Sequence, residues 1–69
     1  MPLFMANPGD LVKVKRVTGQ DDVRRHLAEL GFVEDAEVLI VSNSKGDMIV
    51  QVKGARVALN RSMASRVFF

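Results

Sequence analysis

His26 is the single imidazole of this chain, and the carboxylates at helical spacing from it are Asp22 and Glu29. An Asp–His pair four residues apart can orient an imidazole as a base. No nucleophile is marked by a local motif, however. Ser42, Ser44, Ser62 and Ser65 fall in turn-like segments, where hydroxyls bond the backbone. A metal fares no better. Zinc and ferrous iron favour imidazole or thiolate, the chain has no cysteine, and His26 with Asp22 or Glu29 gives two ligands of the four or more required. Completing the set would take a site shared between copies. The residues therefore read as a solvated polar helix face, with no enzyme activity, no catalytic residue, no metal and no cofactor expected.

Residue type and position bear on two other chemistries. Gly9, Gly19, Gly31, Gly46 and Gly54 are dispersed, one at each junction, and make no phosphate-cradling fingerprint. Lys13, Lys15 and Arg56 could align on one face and meet nucleic acid. Yet ten Lys+Arg against eight Asp+Glu leaves a net charge of only +2, and stacking needs exposed aromatics among the bases. Phe32 and Phe69 are expected in the core. Nucleic acid is thus kept as an alternative and not expected as a partner. A protein-binding surface is better supported, because strand parity points Leu39, Val41, Ile49 and Phe68 away from the core, and a cluster of exposed apolar side chains marks an interface.

Periodicity and turn chemistry set the scaffold that carries these residues. Asn7-Pro8-Gly9-Asp10 closes a lead-in over 1–10 with a turn signal. Residues 11–17 read as a strand in which Val12 and Val14 alternate with Lys13 and Lys15, with Val17 out of phase and so a bend at its end. A helix is expected over 22–30, N-capped by Asp21. Val23, Leu27 and Leu30 lie at i, i+4 and i+7, Ala28 widens the stripe, and Gly31 stands at the C-cap. Arg24, Arg25, His26 and Glu29 occupy the exposed side, with Asp22–His26 and Arg25–Glu29 as i,i+4 neighbours. A strand over 36–41, a hairpin loop over 43–47, a strand carrying Met48, Val50 and Val52, a turn at Lys53-Gly54, and a strand carrying Ala55, Val57 and Leu59 come next. One helical turn over 61–65 and a short strand over 66–69 end the chain.

Sixty-nine residues allow one domain, 1–69, whose margin of stability is a few kcal/mol. Without cysteine, a disulfide scaffold, a zinc finger and a thiol enzyme are excluded. The N-terminal stretch lacks the basic start of a signal peptide, and the longest apolar run is far short of a membrane helix. A cytoplasmic protein that does not insert in a membrane is expected. The order of strand, helix and short strands about ten residues apart indicates a mainly β protein with one short helix, a small SH3-like β-barrel.

The assembled pattern resembles the FeoA family of small accessory proteins of bacterial ferrous-iron transport. Asn7-Pro8-Gly9-Asp10 with Val12 and Val14 is similar to the family's opening turn and strand. His26-Leu27-Ala28-Glu29-Leu30-Gly31-Phe32-Val33 is similar to its most recognisable segment. Glu37-Val38 matches the opening of its next strand, and Gly54, Arg56, Leu59, Ala64 and Val67 fit its closing pattern. Glu34-Asp35 replaces the usual Pro-Gly, and Asn60 a frequent Arg. The resemblance implies an SH3-like barrel and a cytoplasmic partner of FeoB, the large ferrous-iron permease whose cytosolic part binds GTP. The same domain ends metal-responsive repressors, which is the alternative role. Without a helix-turn-helix, a free-standing adaptor is expected, able to form homo-oligomers. Its expected contact surface joins Arg24, Arg25 and Glu29 on the helix with Leu39, Val41 and Ile49 on the strands.

Overall fold

The computed structural model describes residues 1–45 and 47–69, so the turn expected at Gly46 lies outside the described residues. A 3-10 turn, Leu3–Met5, precedes β1 (Leu11–Lys13), β2 (Arg16–Val17) and α1 (Asp21–Leu30). Then come β3 (Glu37–Ser44), β4 (Asp47–Val52), β5 (Ala55–Leu59), α2 (Arg61–Ala64) and β6 (Val67–Phe68). The strands form a four-stranded antiparallel sheet in the order β1-β3-β4-β5 and a two-stranded antiparallel sheet of β2 and β6.

The strand expected over 11–17 is two strands in two sheets. Val14 is buried between them; its N–H donates to the Ala36 carbonyl at 2.9 Å, while the Lys15 N–H donates to Phe68 at 2.7 Å. The chain thus changes partner at Val14–Lys15, earlier than the phase break at Val17 suggested. This bend carries one continuous segment from the large sheet to the small one, which is the SH3-like arrangement. Among the described residues no ladder joins the two sheets into a closed barrel. Instead the core between them is covered by helical and N-terminal side chains.

That core holds Val38 and Ile40 of β3, Met48, Val50 and Val52 of β4, Leu59, Val14, Phe32 and Val67. Leu27 enters from α1, Ala64 from α2, and Leu3 and Ala6 from the N-terminal segment. Alternation predicts the contributions of β3 and β4 correctly. Towards the last two strands Val57 and Phe69, the latter expected in the core, are half-buried against its edge and Ala55 is exposed. The N-terminal contribution is a departure, since residues 1–10 read as a lead-in. Leu3 is fully buried, and Asn43 holds its segment down by donating to the carbonyls of Phe4 at 2.8 Å and Ala6 at 2.9 Å. The turn at Asn7-Pro8-Gly9-Asp10 forms as expected, with Gly9 at φ 94° and the Asp10 N–H bonded to Asn7.

α1 begins one residue earlier than expected. Gln20 is its N-cap and makes no side-chain capping bond, so Asp21 lies inside the first turn, where its carboxylate suits the helix dipole and pairs with Arg24. Val23 and Leu30 are half-buried and Leu27 buried, whereas Ala28 is exposed. The apolar stripe is therefore narrower than the sequence suggested. Gly31 ends the helix at φ 112°, and a Cβ there would sit 3.2 Å from the Val52 side chain. Both the cap conformation and the close approach call for glycine.

The hairpin loop expected over 43–47 is also corrected: Asn43 and Ser44 pair with Met48 and Asp47 inside the ladder. Lys53 at φ 51° and Gly54 at φ 77° link β4 to β5 in two residues, the conformation of a type I′ turn, which favours Asn-Gly. Replacing Lys53 with Asn relieves a left-handed lysine. The expected gain is about 0.5–1 kcal/mol, read as a melting midpoint about 2–8 °C higher.

Candidate protein-binding surface

Because Met48, Val50 and Val52 point inward, Ile49 and Gln51 must point outward, and cross-strand register extends this outer face over the whole sheet. One row runs Leu11, Leu39, Gln51, Arg56; the next runs Ser42, Ile49, Ala58. Between Ile40 and Ser42 the register shifts, so Val41 is the extra residue of a bulge. Its neighbour Ser42 then faces the same way as Leu39, and Val41 itself is half-buried. Leu39 is half-buried as well, and Ile49 is 42% exposed.

Two shallow clefts open at this face, the second running off the end of the sheet towards α2. The first, about 420 Å³, is lined by Leu11, Ala36, Glu37, Leu39, Gln51, Lys53 and Gly54. The second, about 530 Å³, is lined by Ile49, Ala58, Leu59 and Met63 among others, with Asp47 and Asn60 at its polar margin. Leu11, at 62% exposure, is a surface residue that sequence reasoning misses. Its outward phase with Lys13 is the signal that could have found it. Met63 has no such signal, because a four-residue helix is too short to show a periodic face.

Arg24, Arg25 and Glu29 are exposed on α1. Leu27 of the same helix enters the core from one layer, and Met48 and Val50 enter it from the sheet. The two halves of the expected surface therefore lie on separate layers, and neither cleft is lined by a helix residue of α1.

The other chemistries find little geometry. His26, Asp22 and Glu29 are all exposed, and the Asp22 carboxylate accepts the Val23 N–H at 2.9 Å. No group of three or more His, Cys, Asp or Glu able to hold a metal occurs among the described residues. Lys13 and Arg56 stand on opposite edges of the four-stranded sheet, three strand spacings apart and two residues out of row, and Glu37 is the cross-strand neighbour of Lys13. They do not form one basic stripe. Phe68 and Phe4 are half-buried, each under an arginine: Arg16 lies 4.7 Å from the Phe68 ring centre and Arg61 4.9 Å from that of Phe4. Both rings are thereby covered by cations of the chain itself. Among the described residues no helix is long and apolar enough to cross a membrane.

Known proteins share this geometry. The FeoA domain model matches residues 1–69. A candidate Fe(2+) transport protein A of Methanocaldococcus jannaschii is 26% identical over 66 residues, covering 96% of this chain and 80% of that protein. The zinc-complexed FeoA of Stenotrophomonas maltophilia, described as a prokaryotic SH3 domain protein, superposes with a TM-score of 0.86 at 34% identity, over 99% of this chain and 87% of that one. A crystal structure of an iron uptake regulatory protein, FeoA, gives a TM-score of 0.91 at 29% identity, over 97% and 91% of the two chains. A manganese-dependent transcriptional repressor shares the fold at a TM-score of 0.87 and 21% identity, with 39% of its length covered.

Proposed function

The chain belongs to the FeoA domain family, and on that basis we propose that it is a non-enzymatic adaptor of ferrous-iron uptake. It binds the cytosolic, GTP-binding part of the FeoB-type permease and modulates transport from the cytoplasmic side. The observation that carries the reading is the outer sheet face, where Leu11 and Leu39 lie in register and Ile49 stands in the adjacent row, beside two apolar clefts. Apolar side chains grouped on one face are the usual core of a protein interface. For the Stenotrophomonas relative a role as a ferrous iron transport activating factor has been suggested, which agrees with an accessory role here.

Leu39, Val41 and Ile49 supply the principal contact. Arg24, Arg25 and Glu29 offer a second, charged contact on the helical layer. Capture of the purified permease cytosolic domain on the immobilised chain tests the reading. Ile49→Glu, at an exposed site that leaves the core intact, is expected to weaken capture about tenfold or more with unchanged circular dichroism. Absence of capture by the unmodified chain, together with normal iron uptake in a deletion strain, would overturn the adaptor role.

A further inference from the structure

β5 ends the four-stranded sheet and pairs on one side only, with β4. Its two-residue connection makes Val52 and Ala55 the closing hydrogen-bonded pair, so Val57 and Leu59 also bond towards β4. The N–H and C=O groups of Arg56 and Ala58 consequently point to the open edge, and no partner for them occurs among the described residues. β5 contains no proline and no bulge, two of the devices that blunt an edge, and its one charged residue is Arg56. The other edge, β1, is three residues long against five for β5.

Side chains sharpen what the edge can take. Arg56 and Ala58 both lie on the outer face, two residues apart. Ala58 borders the 530 Å³ cleft beside Ile49 and Met63, whose acidic margin is Asp47. A strand added antiparallel to β5 places one outward residue opposite Ala58 and another, two positions later, opposite Arg56. The first site has apolar space to fill, and the second has a cation, Arg56, with no ion pair among the described residues. A second copy of this chain fits poorly: pairing about Val57 would set Ala58 against Arg56, giving neither an apolar filler nor a carboxylate.

We propose that the β5 edge is a strand-addition site for an extended partner segment reading apolar–x–acidic. The apolar residue lies over Ala58 and the carboxylate against Arg56. Four main-chain hydrogen bonds through Arg56 and Ala58 hold the segment, and the two side chains select it. The owner of the segment rests on the adaptor reading above; the mode of recognition does not.

The test uses the full chain and a blocked peptide, Thr-Thr-Leu-Thr-Glu-Thr-Thr, followed by amide NMR. Saturable shifts of the Arg56 and Ala58 amides are expected. Arg56→Glu is expected to weaken binding about tenfold, and replacing the peptide glutamate with lysine to restore it. N-methylation of the peptide at Leu or Glu, whose amides face β5, is expected to cost about tenfold or more, while N-methylation of the Thr between them has little effect. Ala58→Pro removes one edge donor at a position where an edge strand tolerates proline, and is expected to abolish binding. The peptide arms keep the test valid if that variant fails to fold. Equal loss at all three methylated positions, shifts confined to other strands, or dimerisation of the chain through β5 would each overturn the proposal. Peptide binding without capture of the permease domain sinks the adaptor reading alone; capture without peptide binding sinks this inference alone.

Discussion

Replacing Leu27 with alanine is expected to lower the unfolding free energy by about 2–5 kcal/mol. Leu27 is the one α1 side chain with no exposure at all, and Val23 and Leu30 on either side of it are half-buried. The helix has few other anchors, so its neighbours cannot close over the cavity without shifting the helix. For a domain of this length the whole stability is about 3–10 kcal/mol, and a loss of that size leaves much of the population unfolded. Urea titration checks it: with a slope of about 1 kcal/mol per molar, the midpoint should fall by roughly 2 M or more. Glu29→Ala, on the exposed side, should leave the stability within about 0.5 kcal/mol of the original. A loss below 1 kcal/mol for Leu27→Ala would mean that α1 is not held to the core through this residue.

The same helix shows what a sequence reveals and what it hides. Leu27 was legible because a 3.6-residue period and a glycine C-cap are local properties. The N-cap was not: side-chain chemistry favours Asp21, but Gln20 takes the position because the direction of the entering backbone decides it. Along β4, strict alternation put Met48, Val50 and Val52 inside. β1 and β2 defeated the same reading, since Val14 is buried in both a one-strand and a two-strand account. Only the long-range bond from Lys15 to Phe68 distinguishes them, and periodicity carries no information on partners more than fifty residues away.

The surface was readable to the extent that it follows parity. Leu39 and Ile49 face outward because their neighbours face inward, and Leu11 obeys the same rule. Val41 breaks it because a bulge adds a residue without any marker in composition. The helical residues Arg24, Arg25 and Glu29 were correctly exposed, but whether a helix side and a sheet face meet depends on packing of whole layers around the core. Here the core separates them. Edge status, on which strand addition depends, is likewise a property of sheet order rather than of the β5 residues.

Replacing Asn43 with aspartate is expected to cost about 2–4 kcal/mol, more than replacement with alanine. Asn43 sits in β3, part-buried, and its amide nitrogen donates to two main-chain carbonyls, at Phe4 and Ala6. Aspartate is nearly the same size but brings an acceptor and a negative charge to both oxygens, so the contact changes from attractive to repulsive. Alanine leaves space in which water can reach the two carbonyls at this partly open site, and about 1–2 kcal/mol is expected. The element released is local: Leu3 and Ala6 lie on either side of these carbonyls and fill the core. Hydrogen exchange should therefore rise first at the Met5 and Ala6 amides, which bond within the 3-10 turn, while α1 amides change with global stability alone. Equal stability of the aspartate and alanine variants would show that the two bonds contribute nothing specific. A larger loss for aspartate with early release of residues 3–6 identifies Asn43 as the polar clasp that completes a core the strands and helices leave open.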